Sequence, residues 1–197
     1  WTGCTSTDWH TAGNWFDGSI PTAADTVVVP DAINDPVIGA TAVANSVNVE
    51  AGGSLTVEAT GSLPINSPAS PLFTNSGTVV NEGTISLNTP ASFNFHRLLN
   101  LETGTFTNKN VLQIGASGSQ TIRGIYNRGS FVNAPGGSIS IAKSNGGIFQ
   151  DAGSFVNNAN IVFSSVTADS TAIVLFGGTF SNTPCSVKRS MWSVTTE

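Results

Sequence analysis

Charged residues are scarce in this chain, and several other residue types are nearly missing. Charged side chains make up 10% of the 197 residues, well below the roughly one quarter that is typical of globular domains. With two cysteines in total, the chain cannot build a framework of several disulfides. No apolar run approaches the roughly 20 residues that a membrane-spanning helix needs, so we expect no membrane insertion. The chain begins at Trp1 rather than at Met, and we expect export followed by removal of a targeting segment, with a secreted or cell-surface location.

Basic residues are absent from the first half of the chain. Residues 1–96 hold eight acidic residues and no Lys or Arg, whereas residues 97–197 hold seven basic and four acidic residues. The halves therefore carry formal charges of −8 and +3, within a total of −5. The bases are scattered rather than clustered, so we expect no nucleic-acid partner.

A five-residue phrase, Gly-Thr/Ser-Phe/Val-x-Asn, recurs along the chain. Its glycines are separated by 27, 25, 24 and 25 residues and are Gly77, Gly104, Gly129, Gly153 and Gly178. Such a period marks a repeat architecture. Short alternating segments at 47–49, 55–57 and 63–65 follow one another at eight-residue steps, which puts three strands in one period. We therefore predict an all-β, right-handed parallel β-helix, a three-sided β-solenoid of about 24–27 residues per rung, over residues 39–185.

The repeat also predicts which side chains face inward. We interpret the aromatic column as a stacked core rather than a binding stripe; it holds Leu55, Val79, Phe106, Phe131, Phe155 and Phe180. The next face places Leu63, Ile85, Leu112, Ile139 and Ile161 inward. The third is predicted to place Phe73, Leu99, Ile125, Phe149 and Val174 inward.

The asparagine that closes the phrase occupies the same place in successive coils. The column contains Asn81, Asn108, Asn133, Asn157 and Asn182. Stacked at the rung spacing, these amides can bond one another as a ladder. A glycan-binding role for the column is the alternative.

Residues 1–38 do not carry the repeat, and we predict an irregular Trp-, Asp- and Pro-rich cap, or first irregular coil, with a strand at 27–29. An open solenoid end needs such a cover. The run resembles the opening segment of large secreted and cell-surface β-helix proteins of bacteria, including repeat proteins of the Bacteroidota and regions similar to autotransporter adhesins. The residues that carry the resemblance are Trp1-Thr2-Gly3, Asp8-Trp9, Asn14-Trp15, Pro21 and Asp25-Thr26-Val27-Val28-Val29. The resemblance implies a β-helix in an extracellular setting.

Catalytic chemistry has few candidate residues. Glu102 and Asp151 share a repeat position two rungs apart, about 9.6 Å along the axis. That separation alone does not exclude an inverting carboxylate pair, but we interpret both as solvated surface charges. His96 and Arg97 are the only exposed-looking catalytic-type pair, and no nucleophile motif accompanies them. We therefore predict no catalytic residues.

No cofactor is predicted, with calcium as the one ion considered. Calcium prefers oxygen ligands, and Asp31 and Asp35 could join Asn34 in an oxygen-rich site. His10 lies near Asp8 and Asp17 in the sequence.

Two functions remain open from the sequence. The first is a non-catalytic extracellular structural or adhesive rod, whose partners are other copies of itself and a surface glycan or protein receptor. The second is a carbohydrate-binding or polysaccharide-degrading module. Sites on solenoids are usually built from insertions, and those at 66–72, 89–97 and 115–121 are modest, which favours the first.

The cysteines suggest a mode of assembly. Cys4 and Cys185 are about six rungs apart, on the order of 25–30 Å, whereas a disulfide needs Cα atoms within about 7 Å. We therefore expect them to pair between molecules, in a head-to-tail contact that yields filaments. This contact would bring Lys188 and Arg189 against acids of the opposite end, namely Asp8, Asp17 and Asp25. The alternative is that residues 186–197 form a C-terminal tail that folds back as a cap, leaving two free buried thiols.

Overall fold

The alternating segments of the repeat form short parallel strands in the structure. The computed structural model describes residues 1–89, 96–115, 122–142, 144–164, 171–183 and 194–196. Their strands coil in the order first sheet, second sheet, third sheet, and each pairs with the equivalent strands one coil before and after it. The protein is thus an all-β, three-sided parallel β-helix, as the repeat predicts. The only helix in the described residues is one 3-10 turn, Ala12–Asn14, and no helix among them is long and apolar enough to cross a membrane.

Strands are numbered in chain order. The first sheet contains β1 (Thr26–Val29), β3 (Ser46–Val49), β6 (Phe73–Asn75), β9 (His96–Asn100), β12 (Ile122–Asn127), β15 (Ser144–Gln150), β18 (Thr171–Leu175) and β20 (Val194–Thr196). The second contains β2 (Val37–Ile38), β4 (Ser54–Val57), β7 (Thr78–Asn81), β10 (Thr105–Asn108), β13 (Ser130–Asn133), β16 (Ser154–Asn157) and β19 (Thr179–Asn182). The third contains β5 (Ser62–Asn66), β8 (Thr84–Asn88), β11 (Val111–Ile114), β14 (Ser138–Ala142) and β17 (Asn160–Ser164).

The phenylalanines of the second sheet stack face to face inside the coil. Phe131 is fully buried, and its ring lies 4.8 Å from that of Phe106 and 4.6 Å from that of Phe155, with interplanar angles of 5° and 4°. Phe180 continues the stack at 5.1 Å and is partly buried. Residue-for-residue register between the rungs brings these rings together, and their burial supplies much of the core.

The glycine of the repeat phrase is required by the close approach of successive rungs. A Cβ at Gly129 would lie 2.2 Å from the carbonyl oxygen of Gly104, and one at Gly153 would lie 2.1 Å from that of Gly129. Gly153 also has a φ of +65°, which side chains disfavour.

The asparagine column of the second sheet is a continuous hydrogen-bonded ladder. Each Nδ2 donates to the Oδ1 of the next rung, at 2.8 Å from Asn81 to Asn108, 2.8 Å from Asn108 to Asn133, 2.7 Å from Asn133 to Asn157 and 2.6 Å from Asn157 to Asn182. The first four amides are fully buried. Buried amides need such partners, so the ladder holds the corner between the second and third sheets.

A second ladder, not predicted from the sequence, runs along the corner between the first and second sheets. Side-chain amides donate over 2.8, 2.7 and 2.8 Å along the series Asn75, Asn100, Asn127 and Gln150, all fully buried. The column is not apparent from the sequence because the spacing is unequal: its members precede the repeat glycine by two, four, two and three residues. Its one signal in the sequence is an amide side chain at the end of four consecutive first-sheet strands, β6, β9, β12 and β15.

One predicted core column is wrong by one residue. Phe73 and Ile125 face inward as predicted, but the buried partners that pair with them in the first sheet are Leu98, Ile148 and Ile173. The neighbouring residues Leu99, Phe149 and Val174 therefore lie on the outer face and are only partly buried. Because strand side chains alternate, a one-residue slip exchanges the two faces completely.

The amino-terminal segment covers the first end of the coil. Trp9 is fully buried, Trp15 is 7% exposed, and their rings meet edge to face at 4.8 Å. Strands β1 and β2 already pair with β3 and β4, so regular coiling begins within the segment predicted as a cap.

Candidate ligand-binding face on the first sheet

Aromatic rings gather on the outer face of the first sheet, where the slipped register places them. His96 in β9 lies 4.9 Å from Tyr126 in β12 and 4.7 Å from Phe149 in β15. Phe176, which follows β18, continues the group at 6.3 Å from Phe149 with ring planes 19° apart. Its side chain is 52% exposed. We call these four residues the ring cluster.

An irregularity in the sheet shapes this cluster. The register between β12 and β15 shifts between Ile122 and Arg123, which sets Gly146 opposite Arg123. A Cβ at Gly146 would lie 2.3 Å from Cζ of Phe149, so the phenyl ring lies over this glycine. Bulges of this kind re-aim side chains and are common beside functional sites.

The side chains of Arg123 and His96 flank the phenyl ring of Phe149. The guanidinium carbon of Arg123 lies 5.4 Å from the ring centroid, a cation–π distance. Burial, followed by the nearby charge of Arg123, lowers the pKa of His96 to about 4. His96 is therefore neutral at pH 7, and its buried Nδ1 has no hydrogen-bond partner within the described ranges.

A charged network forms one edge of the ring cluster. Arg128 pairs with Glu102 at 2.9 Å and with Asp151 at 3.3 Å, so the two carboxylates are bridged by the arginine of the rung between them. The Tyr126 hydroxyl donates to Asp151 at 2.5 Å, and this hydrogen bond raises the pKa of Tyr126. Arg128 therefore offsets the charge of both acids, which are joined in one ion-pair network.

The prediction that His96 and Arg97 form an exposed pair is wrong for Arg97. Its side chain is fully buried, and none of its three guanidinium nitrogens has a hydrogen-bond partner among the described residues. It belongs to a buried column with Leu72, Gly124 and Gly147. A Cβ at Gly124 would lie 3.0 Å from Cδ1 of the core residue Ile141, so this column enters the core. Burial lowers the pKa of Arg97.

The acids proposed for end-to-end contact are exposed residues of the amino-terminal segment. Each holds a local turn: Asp8 accepts from the His10 backbone N–H at 3.0 Å, Asp17 from that of Ser19 at 3.1 Å. Asp25 accepts from the hydroxyl and backbone N–H of Thr22 at 2.7 and 2.8 Å. These bonds lower the pKa of all three carboxyls. Cys4 is an exposed free thiol, whereas Cys185, Lys188 and Arg189 lie outside the described residues.

Two members of the oxygen-rich group considered for calcium hydrogen-bond different parts of the backbone. The Asp35 carboxylate accepts from the Ser54 backbone N–H at 3.2 Å, while the Asn34 amide donates to the Gly3 carbonyl at 2.7 Å. Within the described ranges, no group of three or more His, Cys, Asp or Glu side chains is placed to hold a metal ion.

A shallow pocket of about 300 Å³ lies on the amino-terminal segment. Trp15, Phe16, Asp17 and Asp25 are among its lining residues. Phe16 is 94% exposed and lies far from the ring cluster in sequence. A substitution of Phe16 is therefore a suitable control for substitutions of phenylalanines in the ring cluster.

The three parallel sheets and their ladders define the class of protein, a three-sided β-solenoid. A family model described as a domain of unknown function (DUF8693) matches residues 1–123, which is more than half of the chain. The chain belongs to this family. No curated protein and no solved structure matches it.

Proposed function

We propose that this protein is a non-catalytic structural and adhesive β-solenoid that works outside a bacterial cell. The single observation that carries the proposal is the pair of buried amide ladders running beside a continuous core stack. Each rung is fastened to the next at two corners, by Asn108 to Asn133 and by Asn100 to Asn127. Such fastening stiffens the coil along its axis, as a rod or spacer requires. The resemblance of the opening segment to secreted surface proteins supports the location.

The adhesive part of the function is assigned to the ring cluster. Exposed aromatic side chains are enriched where proteins bind partners, and a rigid sheet holds them in fixed positions. Insertions from long loops are not required, because the rings project from the strands themselves or from the turn that follows β18.

The absence of catalysis is also a proposal, supported by the way Arg128 bridges Glu102 and Asp151. It is tested by screening the protein for hydrolysis and eliminative cleavage of polysaccharides. Turnover that disappears in Glu102→Gln or Asp151→Asn would instead support the polysaccharide-degrading alternative.

Head-to-tail assembly is part of the same proposal. The amino-terminal end presents Cys4 and the acids Asp8, Asp17 and Asp25 on its surface, and the basic half of the chain supplies the complementary charge. Non-reducing gels and negative-stain images of the oxidised protein test this. Oligomers that collapse on reduction support it, whereas a monomer with two titratable thiols contradicts the covalent contact.

Adhesion is tested with beads that carry the protein. Beads with the wild-type chain are counted on bacterial cells, mucin and extracellular matrix, beside beads with Phe176→Ala and with Phe16→Ala. We expect retention that falls with Phe176→Ala and not with Phe16→Ala. No retention of wild-type beads on any surface would refute the adhesive function.

A further inference from the structure

Among the described strands, outward-facing aromatic side chains occur on the first sheet, with Phe176 in the turn after β18, while Phe16 in the amino-terminal segment is a separate exposed ring. In the described strands of the second and third sheets, outward positions hold non-aromatic residues such as Thr107, Ser140 and Val162. The ring cluster therefore breaks an otherwise uniform outer surface. Rings that were needed only for stability would be expected inside the coil, where burial is complete.

The chemistry around the rings combines apolar faces with planar polar groups. Phe149 and Phe176 present rings 6.3 Å apart in nearly parallel planes. Arg123 is exposed beside them, and the carboxylate and hydroxyl of Asp151 and Tyr126 lie at the other edge. A sugar ring has an apolar C–H face and a rim of hydroxyls, so it can stack on an aromatic ring while its rim bonds planar polar groups.

The polar groups balance in charge. Arg123 and Arg128 offset Glu102 and Asp151, and His96 is neutral at pH 7. A ligand without charge therefore fits this face better than an acidic one.

The rungs also impose a direction. Rungs repeat about every 4.8 Å, and the rings come from four successive first-sheet strands or the turn after one, from β9 to β18. An extended, β-linked sugar chain advances by a similar distance per residue. Such a chain laid along the solenoid axis would place consecutive sugar rings on Phe149 and Phe176.

We propose that the ring cluster is a binding site for a neutral polysaccharide chain, with the exposed Phe176 as one stacking residue. Arg123, which lies over the ring of Phe149, would move from that ring to a sugar hydroxyl, so that Phe149 becomes the second stacking residue. This inference rests on the adhesive part of the proposed function, for which it names the ligand class.

Affinity electrophoresis tests it, with native gels that contain one polysaccharide each. Xyloglucan, mixed-linkage β-glucan and galactomannan are the neutral probes, and alginate and polygalacturonate are the acidic ones. We expect retardation by at least one neutral probe, independent of salt, because screening affects charged partners. Phe149→Ala and Phe176→Ala should weaken binding about tenfold, which corresponds to the loss of one stacking contact. The matched control Phe16→Ala should leave it unchanged.

Additional variants keep the result interpretable. Phe176 is half-exposed, so its truncation tests the site even if Phe149→Ala fails to fold. Gly146→Ala keeps the phenyl ring of Phe149 but displaces it, because the new Cβ would lie 2.3 Å from Cζ. Circular dichroism and thermal unfolding check each fold.

The outcomes separate this inference from the wider function. No retardation by any neutral probe, salt-sensitive retardation by an acidic probe alone, or equal weakening by Phe16→Ala would each overturn the saccharide site. If beads still adhere through Phe176, the adhesive function stands with a different ligand. If periodate oxidation of the surface, which destroys sugar diols, abolishes adhesion, the saccharide site is supported.

Discussion

Arg97 is predicted to destabilise the fold in which it lies. Its guanidinium is fully buried, and within the part of the chain that the structure describes none of its nitrogens has a hydrogen-bond partner. Leu72, one rung earlier in the same column, is equally buried. The column therefore accepts an apolar side chain, and Arg97→Met supplies one that keeps an unbranched shape.

The expected gain follows from the cost of an unpaired buried charge. Each buried polar group without a partner costs about 1–3 kcal/mol, although groups on one side chain do not add fully. Replacing even paired buried ions by apolar residues of similar volume often stabilises proteins by about 1–4 kcal/mol. We expect Arg97→Met to raise the free energy of unfolding by a comparable amount, about 1–4 kcal/mol. The melting temperature should rise by about 2–4 °C for each kcal/mol.

Urea unfolding followed by circular dichroism measures the change, with two controls. Arg97→Lys retains a buried cation and should give no gain. Arg123→Met removes an exposed arginine and should change the free energy of unfolding by less than about 1 kcal/mol.

A loss of about 3 kcal/mol or more in Arg97→Met would refute this reasoning. That is the cost of breaking a buried ion pair, so it would mean that the guanidinium has a bound partner in solution.

Three further predictions concern the core, the ladder and pH. Phe131→Ala should lower the free energy of unfolding by about 3–5 kcal/mol through the cavity it opens. Thermal unfolding should show a smaller loss of stability for Phe180→Ala, at the partly buried end of the stack, and equal losses would contradict the buried column. Asn133→Ala should cost about 1–3 kcal/mol for each amide left unpaired, measured by urea unfolding against the exposed neighbour Asn158→Ala, and a cost equal to that control would show that the ladder adds no stability. Because the folded pKa of His96 is about 4, below its ordinary 6.5, its neutral form stabilises the fold above pH 6.5 and this contribution is lost as the pH falls toward 4. Urea midpoints across this range should decline less in His96→Phe than in the wild type, and parallel declines would argue against a neutral buried imidazole.

The periodicity of the chain was enough to predict the coil. The repeat glycines, the phenylalanine column and the closing asparagines recur at near-constant intervals. In a parallel coil, an interval in sequence becomes a neighbour in space, one rung away. Inward positions such as Phe131 and the bonds of Asn108 to Asn133 follow from that geometry alone.

The register of several first-sheet strands was predicted wrongly because the connections of this sheet vary in length. The turns between the first-sheet strands and the repeat glycine change in length from rung to rung, so the count that aligns the repeat phrase does not align these strands. The error exchanged Leu98 for Leu99 and Ile148 for Phe149, and it hid the ladder from Asn75 to Gln150. Side-chain alternation makes a register error of one residue a change of face.

The candidate site is a product of the tertiary structure. His96, Tyr126, Phe149 and Phe176 have no common spacing in the sequence, and they meet because parallel pairing and the bulge at Gly146 bring four coils to one surface. The burial of Arg97 also depends on the corner it enters. By itself the sequence determined the repeat, the strands and the main core column, since these need only a regular interval. The register of the first-sheet strands, the direction their side chains face and the candidate site were decided by the tertiary structure, because connections of irregular length place each strand on the one before it.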